Sequence, residues 1–319
     1  MRYRRWRKPT LLLVIALVLI WPWVMGTAYM LNLAIGAAIW GVFAVSYDLV
    51  IGWTGEISFG HSLFFGMGAY GVGILAMHTH WPTLVIIIVT IIGSGVTGFI
   101  LNYLSLRVNG AYFAMVTFAL AEFVYLIVQT KTSFTGGTNG LVGMSLAPML
   151  TSPGVLYEIS AVTAILAAWG VWFARRRRVG LAVHAVRDNA LRAQMFGLSV
   201  RYIKAATLAA AAALAALAGA LYLLYQGMAF PQTLDSNTSF TVLLMVIIGG
   251  VDSGWGPLLA GAVLFVVEAM LNATTTHWAL VLGVIYVIVV RFFPKGLAGA
   301  VGLTNKQLMA WDQGGKLGE

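Results

Sequence analysis

The sequence predicts an all-α, polytopic membrane protein of about ten transmembrane helices, and three observations carry that prediction. Of its 319 residues 60% are hydrophobic and only 9% are charged, where soluble domains carry about 25% charged residues. Mean hydropathy is +0.89. Apolar runs near the length that crosses a bilayer, about twenty residues, recur along the whole chain. We read ten spans at 10–28, 31–51, 57–78, 83–104, 111–130, 155–174, 203–225, 239–250, 256–272 and 277–293, of which the eighth and ninth are short.

The basic start, Met1-Arg-Tyr-Arg-Arg-Trp-Arg-Lys8, followed by an apolar run, has the outline of a secretory signal. Trp21-Pro22-Trp23 fits that poorly and no small-x-small cleavage site follows, so a retained first helix is expected. Orientation follows from the lysines and arginines. With the N-terminus in the cytoplasm, 18 of the 19 fall on the inner side and only Lys131 falls outside. If 57–78 entered and left on one face, eight basic residues would move outside, so a full crossing there and two cytoplasmic termini are expected. Trp23, Trp81 and Trp278 near the outer ends, and Trp53, Trp172 and Trp255 near the inner ends, suit interfacial belts.

The chain has no cysteine, which excludes disulfides, thiolate metal sites and a Cys nucleophile. It also lacks a Gly-x4-Gly-Lys-Ser/Thr phosphate loop, His-Glu-x-x-His and Gly-x-Ser-x-Gly, so it does not hydrolyse ATP by the P-loop route on its own. His78-Thr-His80 is read as a polar turn and not as a chelate. No catalytic residue, metal, cofactor or nucleic-acid partner is expected.

Two glycine-rich segments interrupt the apolar pattern. Gly52 to Gly73 holds seven glycines with Glu56, Ser58 and His61 among them, and the second reads Gly249-Gly-Val-Asp-Ser-Gly-Trp-Gly-Pro257 and on to Gly261. Irregular backbone at membrane depth is tolerated only against protein or water, so these segments are candidates to line a path. Close packing through small residues is the equally weighted reading. Their likeness hints at an internal repeat. Glu122, near the middle of its span, is costly to bury and should face the bundle interior, either as a polar clamp or as a solute contact. Glu268 and Asp48, near span ends, reach interfacial water in this reading.

Between the sixth and seventh spans lies a charged island that begins at Arg175-Arg-Arg-Arg178. On a helical wheel Ala182, Val186, Ala190, Ala193 and Phe196 share one face, and His184, Arg187, Asp188, Leu191, Gln194 and Met195 the other. Gly197 supplies a stop. Such a helix suits packing under a membrane domain while presenting a surface to a peripheral subunit.

Gly52-Trp-Thr-Gly-Glu-Ile-Ser-Phe-Gly-His-Ser-Leu-Phe-Phe-Gly-Met-Gly-Ala-Tyr70, Leu106-Arg-Val-Asn-Gly-Ala-Tyr-Phe-Ala-Met-Val-Thr117, Thr135-Gly-Gly-Thr-Asn-Gly-Leu141, the island from Gly180 to Gly197, Gly249-Gly250 to Gly261 and Phe293-Pro-Lys-Gly-Leu297 follow one another in order. Over residues 30 to 300 they resemble the LivM-type permeases of branched-chain amino acid ABC importers. The resemblance implies a single permease domain over residues 1–300, with a coupling segment at 175–204 and a short cytoplasmic tail at 301–319, in a bacterial inner membrane. It further implies a LivH-like second permease, two cytoplasmic ATPase subunits and an extracytoplasmic solute-binding protein. It puts ATPase coupling on Gly180, Arg187, Asp188, Asn189, Arg192 and Gly197. Path or gating roles go to Gly55, Glu56, Ser58, Gly60, His61, Glu122, Thr138 and Asn139. The island departs from the general importer pattern, because Ala190 stands where an acid is common and no Leu-Pro closes the motif. Urea or another small polar or aromatic solute is the alternative cargo. A stand-alone secondary transporter or channel using Glu122 is the alternative of another class.

Overall fold

The computed structural model describes residues 27–108 and 110–292. The expected first span lies almost wholly outside these residues, and the tail from 301 wholly so. Thirteen helices follow in order: α1 (Ala28–Asp48), α2 (Ser62–His78), α3 (Thr83–Ser105), α4 (Ala111–Thr130), α5 (Thr132–Thr135), α6 (Pro148–Thr151), α7 (Pro153–Arg175), α8 (Arg178–Asp188), α9 (Ala190–Met195), α10 (Val200–Gln226), α11 (Ser236–Gly249), α12 (Trp255–Thr274) and α13 (Trp278–Phe292). No strand occurs among the described residues. The all-α class therefore holds.

Of the ten expected spans, nine are matched among the described residues by six long apolar helices and three shorter ones, the first lying almost wholly outside them. Six helices are long and apolar enough to cross a membrane: α1 prolonged to Thr54, α3, α4, α7, α10 and α12. The segments expected at 57–78, 239–250 and 277–293 are the shorter apolar helices α2, α11 and α13. The reason is local. After α1 the chain passes through a wider π turn, Leu49–Thr54, and turns at Gly55 in the left-handed region (φ 73°). It then runs without helix to a tight turn before α2 starts at Ser62, five residues later than hydropathy alone places it. Likewise α10 ends at Gly227 (φ 70°), and a non-helical stretch with a 3₁₀ turn, Pro231–Leu234, precedes α11.

These two interruptions belong to units of opposite sense. Lys204 near the start of α10 bonds Glu56, just beyond the end of α1, so the two helices run antiparallel. Helix α3 packs on α10 as α12 packs on α1, and α2 lies on α3 as α11 lies on α12. The packing thus relates the segment after α1 to the one after α10, a correspondence that does not involve Gly249–Gly261. Inverted repeats with broken helices are a recurrent transporter architecture.

Helices α1 and α10 form the core. From Ile35 to Asp48, α1 is buried on nearly all sides, which its uniformly apolar and small residues permit. α10 replaces bulk with alanine: Ala205, Ala211, Ala212, Ala215, Ala216, Ala218 and Ala220 are buried. In lipid no hydrophobic force draws helices together, and small residues allow backbones to approach. A Cβ placed on Gly219 would overlap the Phe65 carbonyl, and one on Gly68 would overlap the Ala216 carbonyl. This reciprocal pair fixes α2 against α10 backbone to backbone.

Candidate functional site

The segment after α1 folds back along it. Tyr47 donates its hydroxyl proton to the Ser58 carbonyl at 2.8 Å, and His61 Nε2 meets Ser46 Oγ at 2.9 Å. The His61 ring stacks on Phe43 and meets Tyr47 edge-on. Ser46 lies eight residues before the end of the π turn, so α2 begins about 12 Å inward from that end at 1.5 Å per residue. Gly60 is required here, because a Cβ would overlap the Thr117 carbonyl of α4.

At that depth the first turns of α2 and α11 meet. Ser62 N–H donates to Ser239 Oγ at 2.8 Å, Ser239 Oγ donates to Ser62 Oγ at 2.9 Å, and Ser62 Oγ donates to the Leu234 carbonyl at 3.0 Å. Helix α11 thus supplies, through Ser239, a partner for the otherwise orphan Ser62 N–H of α2. Asp235 caps α11 by accepting from Asn237 N–H at 3.1 Å. Glu122 of α4 accepts from Ser236 Oγ at 2.7 Å, and the same hydroxyl lies 3.3 Å from Asp235 Oδ1. The result is a seam of hydroxyls and two carboxylates between α2, α4 and α11 inside an apolar bundle. These are hydrogen-bonding groups in an otherwise apolar interior, the serines buried and the carboxylates half-buried, and they are bonded to one another.

A second cluster lies at the end carrying the arginine run. Arg175 donates to Asp252 Oδ2 at 2.8 Å and also to the Asp252 carbonyl. Arg187 of α8 donates to the Gly52 carbonyl and lies 3.5 Å from Asp252 Oδ2. Asp252 N–H donates to Asp48 Oδ1 at 2.7 Å. A Cβ on Gly52 would come 2.5 Å from that oxygen, so glycine keeps the contact open. Asp252 sits at φ 63°, the one non-glycine residue in the left-handed region among the described residues. Holding it there is costly, and the surrounding bonds over-determine it. Burial pushes the Asp252 carboxyl above the usual carboxylate range, against the pull of Arg175, His184 and Arg187. Burial also pushes His184 down, with Asp252 the main opposing influence. A depressed pKa leaves His184 neutral near pH 7, and at 3.7 Å from Asp252 it is a polar neighbour and not an ion-pair partner.

Beside this cluster, Lys204 bonds Glu56 at 2.5 Å, with side chains only 13% and 7% exposed. The segment after α1 is therefore tied at its open end to α8 through Gly52 and to α10 through Glu56.

Of the expected path residues, the structure brings Gly55, Glu56, Ser58, Gly60 and His61 into one segment and joins Glu122 to Ser236. His61 and Ser58 are wholly engaged by protein. Thr138 and Asn139 lie apart, exposed in a 3₁₀ turn. Their neighbour Leu141 pairs with Ala229, so that connection is fastened to the segment before α11. Asp48, expected at interfacial water, is fully buried.

The island is two helices and not one wheel. Asn189 breaks it and caps α9, accepting from Arg192 N–H at 2.8 Å. Gly180, Val183, Val186 and Ala193 are buried, whereas Phe196, expected on the packed face, is 81% exposed alongside Leu191 and Met195. The break rotates α9 out of the α8 register. Arg187, though exposed, reaches back to the Gly52 carbonyl and Asp252, while the likewise exposed Asp188 and Arg192 make no such side-chain contact among the described residues. Gly180 is pressed against Ala174 and Arg175 backbone, and Gly197 takes a left-handed turn at φ 79°. Sequence reasoning missed Asp252, Lys204, Ser62, Ser236 and Ser239. An acid inside a glycine-rich turn, Gly-Gly-Val-Asp-Ser-Gly, was the available signal for the first.

Residues 29–290 match the family described as the permease component of branched-chain amino acid transport systems. The chain belongs to that family. It is 25% identical over 329 aligned residues to the high-affinity branched-chain amino acid transport permease LivM of Escherichia coli, covering 95% of this chain and 76% of that one. A probable LivM permease of Methanocaldococcus jannaschii is 25% identical over 237 residues, covering 72% and 66% respectively. LivH of Salmonella typhimurium is 24% identical over 283 residues, covering 82% and 91%. No solved structure matches.

Proposed function

We propose that this permease forms half of the translocation path of an ATP-driven importer for branched-chain amino acids. In this reading a LivH-like second permease completes the path, two cytoplasmic ATPase subunits drive it, and an extracytoplasmic binding protein delivers the solute. The bundle sits in a bacterial inner membrane with the arginine run on the cytoplasmic side. The observation that carries the mechanism is the tie from α8 through Arg187 to Gly52 and Asp252. Gly52 stands in the π turn that ends α1 and Asp252 in the turn between α11 and α12, so a push on α8 and α9 reaches the start of the first broken segment and the end of α11 together. The hydroxyl seam at Ser62, Ser239, Ser236 and Glu122 is then where the polar solute passes. Selectivity resides in the binding protein, consistent with a seam that has no paired basic group.

Docking of the ATPase falls on the outward side of α8 and α9: Asp188, Asn189 and Arg192 with the apolar Leu191, Met195 and Phe196. Arg187 transmits through its contacts with Gly52 and Asp252. We expect Arg192→Glu with Phe196→Ala to reduce ATPase co-purification while the protein stays inserted. The decisive experiment is ATPase activity of the co-expressed complex in nanodiscs, with the binding protein loaded with branched-chain amino acids, urea or aromatic acids. Stimulation by leucine-type solutes alone supports the reading. Transport by this chain alone in proteoliposomes would overturn it.

A further inference from the structure

A groove runs along the outside of the bundle between α7, α8 and α10, floored by Leu49 and Trp53. It holds about 530 Å³ in which a water-sized body fits and about 1130 Å³ of empty space in all. Its walls are hydrocarbon: Leu166, Val171, Val183, Ala206, Ala210 and Leu214 are representative. The Thr207 hydroxyl in the wall already donates to the Ile203 carbonyl at 2.9 Å. A zwitterionic solute finds no partner there, so the groove is not a branch of the hydroxyl seam.

We infer that this groove binds one acyl chain of an anionic phospholipid, whose phosphate is held by Arg176, Arg177 and Arg178. Length, width and charge all point to it. From Tyr202 to Leu214 the groove follows α10 for about 18 Å at 1.5 Å per residue, close to the roughly 15 Å depth of one leaflet of hydrocarbon. Dividing even the whole empty volume by that length leaves a mean cross-section of about 60 Å². That section is narrower than the roughly 80–110 Å² of a helix 10–12 Å across, so an acyl chain lies wholly inside the groove where a helix would seat only partly.

The three arginines lie between the lining residues Ala174 and Val179, so the chain carries them next to that end of the groove without lining it. All three are exposed, and no carboxylate pairs with any of them among the described residues. Arg176 stacks on Trp172 at 3.9 Å and Arg177 on Phe173 at 4.4 Å. Neither ring lines the groove, so these guanidinium groups reach its end only by swinging off the rings, which their exposure allows. Basic pockets between helices at a membrane face are suited to anionic headgroups, and a guanidinium fork matches phosphate. The inference needs the chain to lie in a membrane, and does not depend on what it transports.

The test is native mass spectrometry of the delipidated full-length chain titrated with phosphatidylglycerol or phosphatidylcholine. Wild type should hold one phosphatidylglycerol at least ten-fold more tightly than phosphatidylcholine. Arg176→Gln with Arg177→Gln and Arg178→Gln should bring the two within two-fold. Ala206→Phe with Ala210→Phe should weaken both at least ten-fold with helix content unchanged. Phosphatidylglycerol with a photoreactive acyl chain gives a reading on wild type itself, free of any folding defect, and should label α7 and α10. Labelling confined to other faces would refute the site, as would undiminished binding by the filled variant or an unchanged headgroup preference. Because the chain has no cysteine, Ala210→Cys is a clean crosslinking probe. Its capture of a polypeptide segment alone would give the groove to protein instead.

Discussion

Asp252→Asn isolates the charge on which the α8 tie depends. Asparagine tolerates the left-handed conformation as aspartate does, so backbone strain is not altered. What changes is that Arg175 at 2.8 Å and Arg187 at 3.5 Å lose their shared carboxylate and face each other as like charges. At an effective dielectric constant near 20 the Arg187 attraction, the one that holds α8, is about 5 kcal/mol before desolvation. Breaking a fully buried pair costs about 3–5 kcal/mol and an exposed one about 0–1. The side chains here are 24%, 33% and 17% exposed, which puts the loss between those limits, about 2 kcal/mol. That is roughly a 30-fold rise in the population with α8 detached. Hydrogen exchange by mass spectrometry in nanodiscs reads it directly: amides of Val183 to Arg187 should exchange about 30-fold faster. Asp188→Asn removes the same charge from an outward position on α8 and should leave exchange unchanged. Equal protection in wild type and Asp252→Asn, or equal loss in both variants, would refute the reasoning.

Gly219→Ala should destabilise by about 3 kcal/mol, because the new methyl meets backbone that cannot yield. Gly93→Ala, with open space around it, should be neutral or slightly stabilising in the same detergent melt. Lys204→Ala should cost about 3–5 kcal/mol by stranding Glu56, and Lys204→Met with Glu56→Gln should recover more than half of that, a coupling read from a double-mutant cycle. Glu122→Gln keeps an acceptor for Ser236 and should preserve both melting temperature and at least half of solute uptake by the assembled complex. A proton relay through Glu122 would instead lose uptake entirely.

Composition and hydropathy were enough to establish an all-α membrane bundle, because any backbone in hydrocarbon must satisfy its own hydrogen bonds and helices do so locally. The ordered motifs were enough for the family, and glycine density marked where the backbone comes close, as at Gly60 and Gly52. Hydropathy could not separate a full span from a half-helix: the chain before Ser62 is apolar enough to be a continuation, and only its fold-back onto Ser46 and Tyr47 stops the helix there. Nor could a wheel see that Asn189 would spend its side chain capping α9, which turned Phe196 outward. The partners of Asp252, Glu56 and Ser62 named above lie between 65 and 204 residues away along the chain. Such contacts leave no periodic trace in a sequence, since they are set by which helix ends the inverted packing of α1 and α10 brings together. The kinds of residue available to the site were therefore legible from the start, and which of them bond one another was decided only by tertiary structure.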